Sequence, residues 1–261
     1  MTHGSGFWHW LWLGFLLGLA SWYLLETGRQ PGVSRVRQAC FYAGTVLAAA
    51  VIVGPVAELA FEYFWAHMIQ HISLMMLISP LLILGSPGQL LLNSRFGWLQ
   101  AMARGLARFV PFRWLFKPQV GWVLFLTVLI GTHFSPLANA GMVSQPAHAF
   151  ELVLFLMAGC IYYYAVLEGN PKPYFVPHSV RLISLFAMML PETMTGFFLY
   201  ASNGLLHTSH QMAGLNIDAL TDQHIGGALM WSMGMIIDSV WIVLAAIDFF
   251  ADEKRKSAAY E

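Results

Sequence analysis

His67-Met68-Ile69-Gln70-His71 opens an apolar run that closes on Pro80-Leu81-Leu82-Ile83-Leu84-Gly85-Ser86-Pro87. The run, at about residues 65–84, matches the ~20 residues a helix needs to cross a hydrocarbon core. On a helix, residues four apart share a face and lie one turn, or ~6 Å, from each other. Two imidazoles at that spacing either serve one metal ion from a single helix or face a wet crevice as separate polar groups. A zinc protease is excluded, because that chemistry needs Glu directly after the first His as general base, and the position holds Met68.

Composition carries the same reading to the whole chain. Of 261 residues, 58% are hydrophobic and only 10% charged, with 10 Trp and 19 Phe. A soluble domain is about a quarter charged, so this chain lacks the polar groups to cover a water-facing surface and reads as a membrane protein. Its formal net charge is zero, which offers nothing to a nucleic acid. Cys40 and Cys160 stand alone inside apolar runs, which rules out a disulfide framework and any C-x-x-C metal site. No tandem repeat or low-complexity tract divides the chain, and residues 1–261 are expected to form a single integral membrane domain.

Seven apolar runs have spanning length: about 7–26, 38–57, 65–84, 118–135, 146–167, 179–200 and 223–248. The expected fold is an all-α bundle of seven transmembrane helices. The first run has no basic leader and no small-residue cleavage site, so it is expected to stay as a helix rather than be removed as a signal peptide. Basic residues set the orientation. Arg29, Arg35 and Arg37 follow the first run; Arg95, Arg104, Arg108, Arg113 and Lys117 follow the third; Lys172 and Arg181 follow the fifth; Lys254, Arg255 and Lys256 end the chain. All 13 Lys and Arg thus fall on one side, placing the amino terminus outside and the carboxyl terminus inside. The linker at about 88–117 alternates Arg104 and Arg108 with Phe96, Trp98, Leu99, Met102, Leu106 and Phe109. That pattern predicts a short amphipathic helix on the inner membrane surface, basic side toward anionic headgroups.

Histidine segregates to the opposite side. His3 and His9 belong to the outer end of the first run, and His67 and His71 to the outer end of the third. His133 ends the fourth, His148 opens the fifth with Glu151 one turn on, and His224 opens the seventh. His207 and His210 fall in the outer loop after the sixth and are expected to be solvent-exposed. Only His178 is inside. Ionisable residues within a membrane are costly and so are functional candidates. Imidazole suits copper, zinc and iron, while thioether sulfur selects Cu(I); Met68, Met194, Met230 and Met233 are available. Glu151, Asp222 and Gln223 are candidates for an oxygen ligand or for orienting an imidazole, and Asp222 and Gln223 for capping the seventh helix. Glu192 and Asp238 lie deeper, either paired with hydroxyls such as Thr193, Thr195, Ser232 and Ser239 or marking an ion path.

These stretches together resemble the CtaG family, multispanning assembly factors of caa3-type cytochrome c oxidase. The His67–His71 segment with Pro80–Pro87 is similar to the family signature. Thr132-His133-Phe134-Ser135-Pro136 resembles its H-x-x-P segment, and His148-Ala149-Phe150-Glu151 its next histidine motif. Asp222-Gln223-His224-Ile225-Gly226-Gly227-Ala228-Leu229-Met230-Trp231 resembles its D-Q-x-x-G-x-x-M-W stretch. The likeness runs in order from about residue 38 to 250. It implies a multi-pass protein of the bacterial plasma membrane, not an enzyme, that is needed to build haem-copper oxidase at the copper-insertion stage. The residues it implies are His67, His71, His133 and His148, supported by Glu151, Asp222 and Gln223, with His224 and Met230 as additional candidates. Two departures leave the ligand number open: Leu152 stands where the family often has another His, and His224 occupies a variable position.

The leading expectation is therefore a factor that holds copper transiently and passes it to an oxidase subunit, with membrane lipid as a second partner. A haem-bearing electron carrier, using His71 with His133 or His148 as axial ligands, is the first alternative. A metal-ion permease drawing on Glu192 and Asp238, and a metal-free scaffold, are the others.

Overall fold

The computed structural model describes residues 5–167, 169–207 and 217–259, and every regular element among them is helical. In chain order these are α1 (Ser5–Arg29), α2 (Arg35–Ile52), α3 (Pro55–Glu62), α4 (Phe64–Ile72), a π-helical turn (Ser73–Ile78) and α5 (Ser79–Leu84). There follow α6 (Pro87–Leu92), α7 (Gly97–Arg108), α8 (Val110–Trp114), α9 (Pro118–His133) and α10 (Pro136–Val143). The long helices α11 (Gln145–Val166), α12 (His178–Ala201) and α13 (Ala219–Ala259) complete the chain.

Among the described residues, five helices are long and apolar enough to cross a membrane: Gly6–Arg29, Phe64–Leu84, Gln145–Val166, His178–Ala201 and Ala219–Ala258. Two bent pairs raise the number to seven if each is one span. Arg35–Ile52 with Pro55–Glu62 turns by 42°, and Pro118–His133 with Pro136–Val143 by 68°. Both bends have the same cause. Pro55 and Pro136 lack the N–H that would continue the preceding helix but suit the first turn of a new one. At the second bend the Ser135 hydroxyl accepts from Leu137 N at 3.2 Å, capping α10. The expected second run, 38–57, therefore contains a break, and the segment after His133 is a short helix folded back toward α11 rather than an outer loop.

The signature stretch is one continuous helical rod, Phe64–Leu84, interrupted by the π turn that follows His71. Ser79 secures the turn, its hydroxyl donating to Leu74 O at 2.7 Å within the rod and standing 3.0 Å from Leu156 O on α11. Gly159 lets α11 approach this closely, since a Cβ there would lie 2.4 Å from Met75 O. Such small-residue crossings are how helices associate where lipid removes the hydrophobic drive between them. The same device joins α12 and α13. A Cβ on Gly196 would stand 2.7 Å from Trp231 N, and one on Gly227 2.5 Å from Tyr200 N. With Arg181 near Asp248 at the far end (3.7 Å), these pairs run in opposite sense along the two helices, so α12 and α13 are antiparallel.

The end of the bundle that carries the basic residues is tied by buried polar groups. Glu26 accepts from Ser94 Oγ (2.6 Å), Arg95 N (2.9 Å) and Gln30 Nε2 (3.0 Å), fastening the linker to α1. Arg37 donates to Ser86, whose left-handed backbone (φ 57°) turns the chain out of α5. Arg181, 3% exposed, donates to Val166 O at 2.6 Å. In the linker, α7 forms within the expected 95–109 stretch and buries none of its side chains, with Trp98 and Met102 exposed. The last helix runs past the expected end at 248, and Lys256 pairs with Asp252 (2.8 Å) and Glu253 (2.9 Å) one turn below.

Candidate metal centre

The start of α4 is set from the other end of the sequence. Tyr63 at the N-cap supplies no side-chain hydrogen bond. Instead Asp222, at the head of α13, accepts from Phe64 N at 2.7 Å and Trp65 N at 3.1 Å. Its carboxylate satisfies two of the helix's free N–H groups and complements the positive end of the dipole. Phe64 packs where Gly226 leaves room, since a Cβ there would be 2.4 Å from the ring. Asp222 thus caps α4 and not its own helix, correcting the sequence expectation.

One turn into α4, His67 and His71 meet edge to face with ring centroids 4.2 Å apart. Glu151 of α11 reaches between them: its Oε2 lies 3.4 Å from His67 Nε2 and 3.6 Å from His71 Nε2. One donor atom from each of these three residues falls within 4.8 Å of the other two, and all three residues are buried. Among the described residues this is the one group of three such donors. Gly141 on α10 makes the space, because a Cβ there would stand 2.2 Å from Glu151 Oε2.

Two more imidazoles border the group. His133 lies 5.6 Å from His71 between ring centroids, and His148 lies 5.1 Å from His67. Hydrogen bonds fix their tautomers. His133 Nδ1 is 2.6 Å from Leu129 O; a carbonyl only accepts, so Nδ1 carries the proton and Nε2 keeps its lone pair. That Nε2 is buried with no hydrogen-bond partner. Gln70 donates to Val51 O at 2.6 Å, which turns its Oε1 toward His148 Nε2 at 2.9 Å. His148 therefore donates through Nε2, which leaves the lone pair on Nδ1. His71 Nδ1 and Glu151 Oε1 also lack hydrogen-bond partners, and Glu151 Oε2 meets the two imidazoles alone. Each such buried group costs about 1–3 kcal/mol unless something compensates it. A cation held among them compensates several at once.

The remaining candidates separate cleanly. Met230 is buried and lines a cavity beside His71 and His133. Gln223 is structural: its Oε1 accepts from Leu206 N (2.8 Å) and its Nε2 faces Leu199 O (3.4 Å) and Gly204 O (3.3 Å). His224 turns to Ser202 O at 2.9 Å and does not join the group. Met194 is 38% exposed and does not line that cavity. His207 overturns the expectation of a solvent-exposed loop residue. It is 3% exposed, its Nε2 meets His133 O at 3.0 Å, and its ring packs on Phe64 at 4.8 Å. The stretch at 202–207 folds back over the end of α9 because Gln223 holds its backbone at Leu206 and His207. His3 and His210 lie outside the described residues. Three of the four hydroxyls expected to pair with Glu192 and Asp238 bond their own helices instead: Thr195 to Pro191 O, Ser232 to Ala228 O and Ser239 to Met235 O. Three contributors went unread in the sequence: Gln70, inside the signature itself, Gly141 and Phe155, whose ring stacks on His71 at 4.0 Å.

Comparison with known proteins follows the same stretches. The profile of the family described as cytochrome c oxidase caa3 assembly factor matches residues 13–252, nearly the whole chain. Uncharacterized proteins of Mycobacterium tuberculosis and Mycobacterium bovis are each 27% identical over 213 residues, covering 76% of this chain and 31% of theirs. One from Mycobacterium leprae is 28% identical over 210 residues, with the same coverage. The chain thus spans about a third of the length of these curated relatives. No solved structure matches it.

Proposed function

Because the chain belongs to the cytochrome c oxidase caa3 assembly factor family, we propose that it binds copper at His67, His71 and Glu151 and hands the ion to an oxidase subunit. The observation that carries this reading is the convergence of three buried donors within 4.8 Å, with His133 and His148 alongside. Imidazole with carboxylate suits Cu(II), and imidazole alone also holds Cu(I). Three donors from two helices leave part of the coordination sphere to an incoming ligand, as transfer requires. His133 and His148 are placed to take the ion in turn or to complete the sphere. The site sits on the side opposite the basic residues, which by the charge rule faces the exterior of a bacterial plasma membrane. No step in this role makes or breaks a covalent bond in a substrate.

Phe155 favours a bare ion over haem. It occupies a face of His71 and lies 5.9 Å from His133, filling space a porphyrin between those rings would need. The test is complementation of a bacterial host lacking its own copy of the chain. The wild-type chain should restore oxidase activity, whereas His67→Ala/His71→Ala, present at equal level in the membrane, should not. Full restoration by the double variant would refute the assignment.

A further inference from the structure

Beside the imidazoles a cavity continues toward the middle of the bundle. His71 and His133 line it together with Glu192 and four methionines, Met68, Met75, Met76 and Met230. Methionine fills irregular gaps in many cores, so four of them alone would mean only packing. Glu192 is what packing does not explain. It is 3% exposed and meets another acid, Asp238 of α13, itself 1% exposed, with which it interacts directly. No other group hydrogen-bonds the Glu192 oxygens or Asp238 Oδ2. Thr195, Ser232 and Ser239, which could have served them, bond their own helices. Two facing acids in an apolar interior hold one proton between them, and the remaining negative charge favours a cation beside the pair.

We propose that this methionine-lined cavity, with Glu192, is a second metal site, selective for Cu(I) and contiguous with the imidazole site. Thioether sulfur selects soft Cu(I) over harder divalent ions, and the Glu192–Asp238 pair, sharing one proton, balances a single positive charge. Trp241 supports the wall by donating to Met76 O at 2.9 Å, which fixes the backbone that presents that thioether. His71 and His133 border both sites, so an ion passes between them by exchanging one ligand at a time. The inference rests on copper being the cargo, yet it adds a site that the histidine assignment does not need.

The test is anaerobic loading of the detergent-purified full chain with Cu(I), and in parallel with Ag(I) as a probe that does not change oxidation state. Metal per chain is counted, and the coordination shell is read by X-ray absorption. The wild type should hold two ions per chain, with sulfur and nitrogen scattering. Met76→Leu/Met230→Leu, which conserves volume and leaves Met68 and Met75 in place, should weaken the sulfur-bound ion at least tenfold and cut the sulfur signal while keeping the nitrogen-bound ion. Glu192→Gln should weaken the sulfur-bound ion at least tenfold and leave the other unchanged. A wild-type shell without sulfur, or variants that bind as the wild type does, would overturn the second site and leave the histidine assignment intact. A chain that binds neither metal would overturn both.

Discussion

Replacing Gly141 with Ala tests the centre without touching a donor. The added Cβ would lie 2.2 Å from Glu151 Oε2 and 3.1 Å from its carboxyl carbon. Ordinary contact requires somewhat over 3 Å, so the oxygen must retreat by ~1 Å. The atom displaced is the end of a flexible side chain, so the helices can stay in place. A metal–oxygen bond is about 2.0–2.2 Å long, and a retreat of that size removes Glu151 from the coordination sphere. Losing an oriented group at a metal site lowers affinity by about 10–100-fold. Stability should move little, since the helix-propensity gain of up to ~1 kcal/mol offsets the cost of overpacking, about 1–3 kcal/mol when nothing can yield. Copper affinity from competition with a chelator, measured beside thermal unfolding in the same detergent, separates the two effects. Unchanged affinity in a folded Gly141→Ala protein would refute the claim that Glu151 binds the ion.

Further outcomes follow from the other contacts. Asp222→Ala uncaps Phe64 N and Trp65 N and should destabilise the protein by about 2–4 kcal/mol; equal unfolding midpoints for variant and wild type would contradict that role. Gly227→Val sets a Cβ against Tyr200 N and Gly196 O, backbone atoms that cannot yield. It should cost about 3 kcal/mol or more and sharply reduce folded protein on size exclusion. Gln70→Leu leaves His148 Nε2 without its acceptor and Val51 O without its donor. The expected loss is about 1–3 kcal/mol of stability, read by thermal unfolding, with a fall in copper affinity of up to ~10-fold.

How far the sequence reached depended on whether the causes were local. The spacing of His67 and His71 is a property of one helix, and their shared face was readable from helical period alone. His133 and His148 were readable because hydropathy fixes depth, and residues at the same end of neighbouring spans are brought close by the bundle. Asp222 was seen as a candidate but given the wrong helix to cap, because its partner lies 158 residues away. The burial of His207 depends on Gln223 gathering a loop, which no periodicity records. Gly141 carries no signal in the sequence, and only the path of α10 over Glu151 reveals its purpose. The hydroxyls near Glu192 and Asp238 suggested partners by proximity in sequence. Inside a helix, however, Ser and Thr bond readily to the carbonyl four residues back, which leaves the two acids to each other.

The central claim is tested most directly by metal content. Copper per chain should be measured in detergent-purified wild type and in His67→Ala/His71→Ala after identical loading and desalting. The wild type is expected to retain copper and the double variant to lose the ion held with Glu151, while both elute as the same folded species. Equal copper in the two proteins would contradict the account.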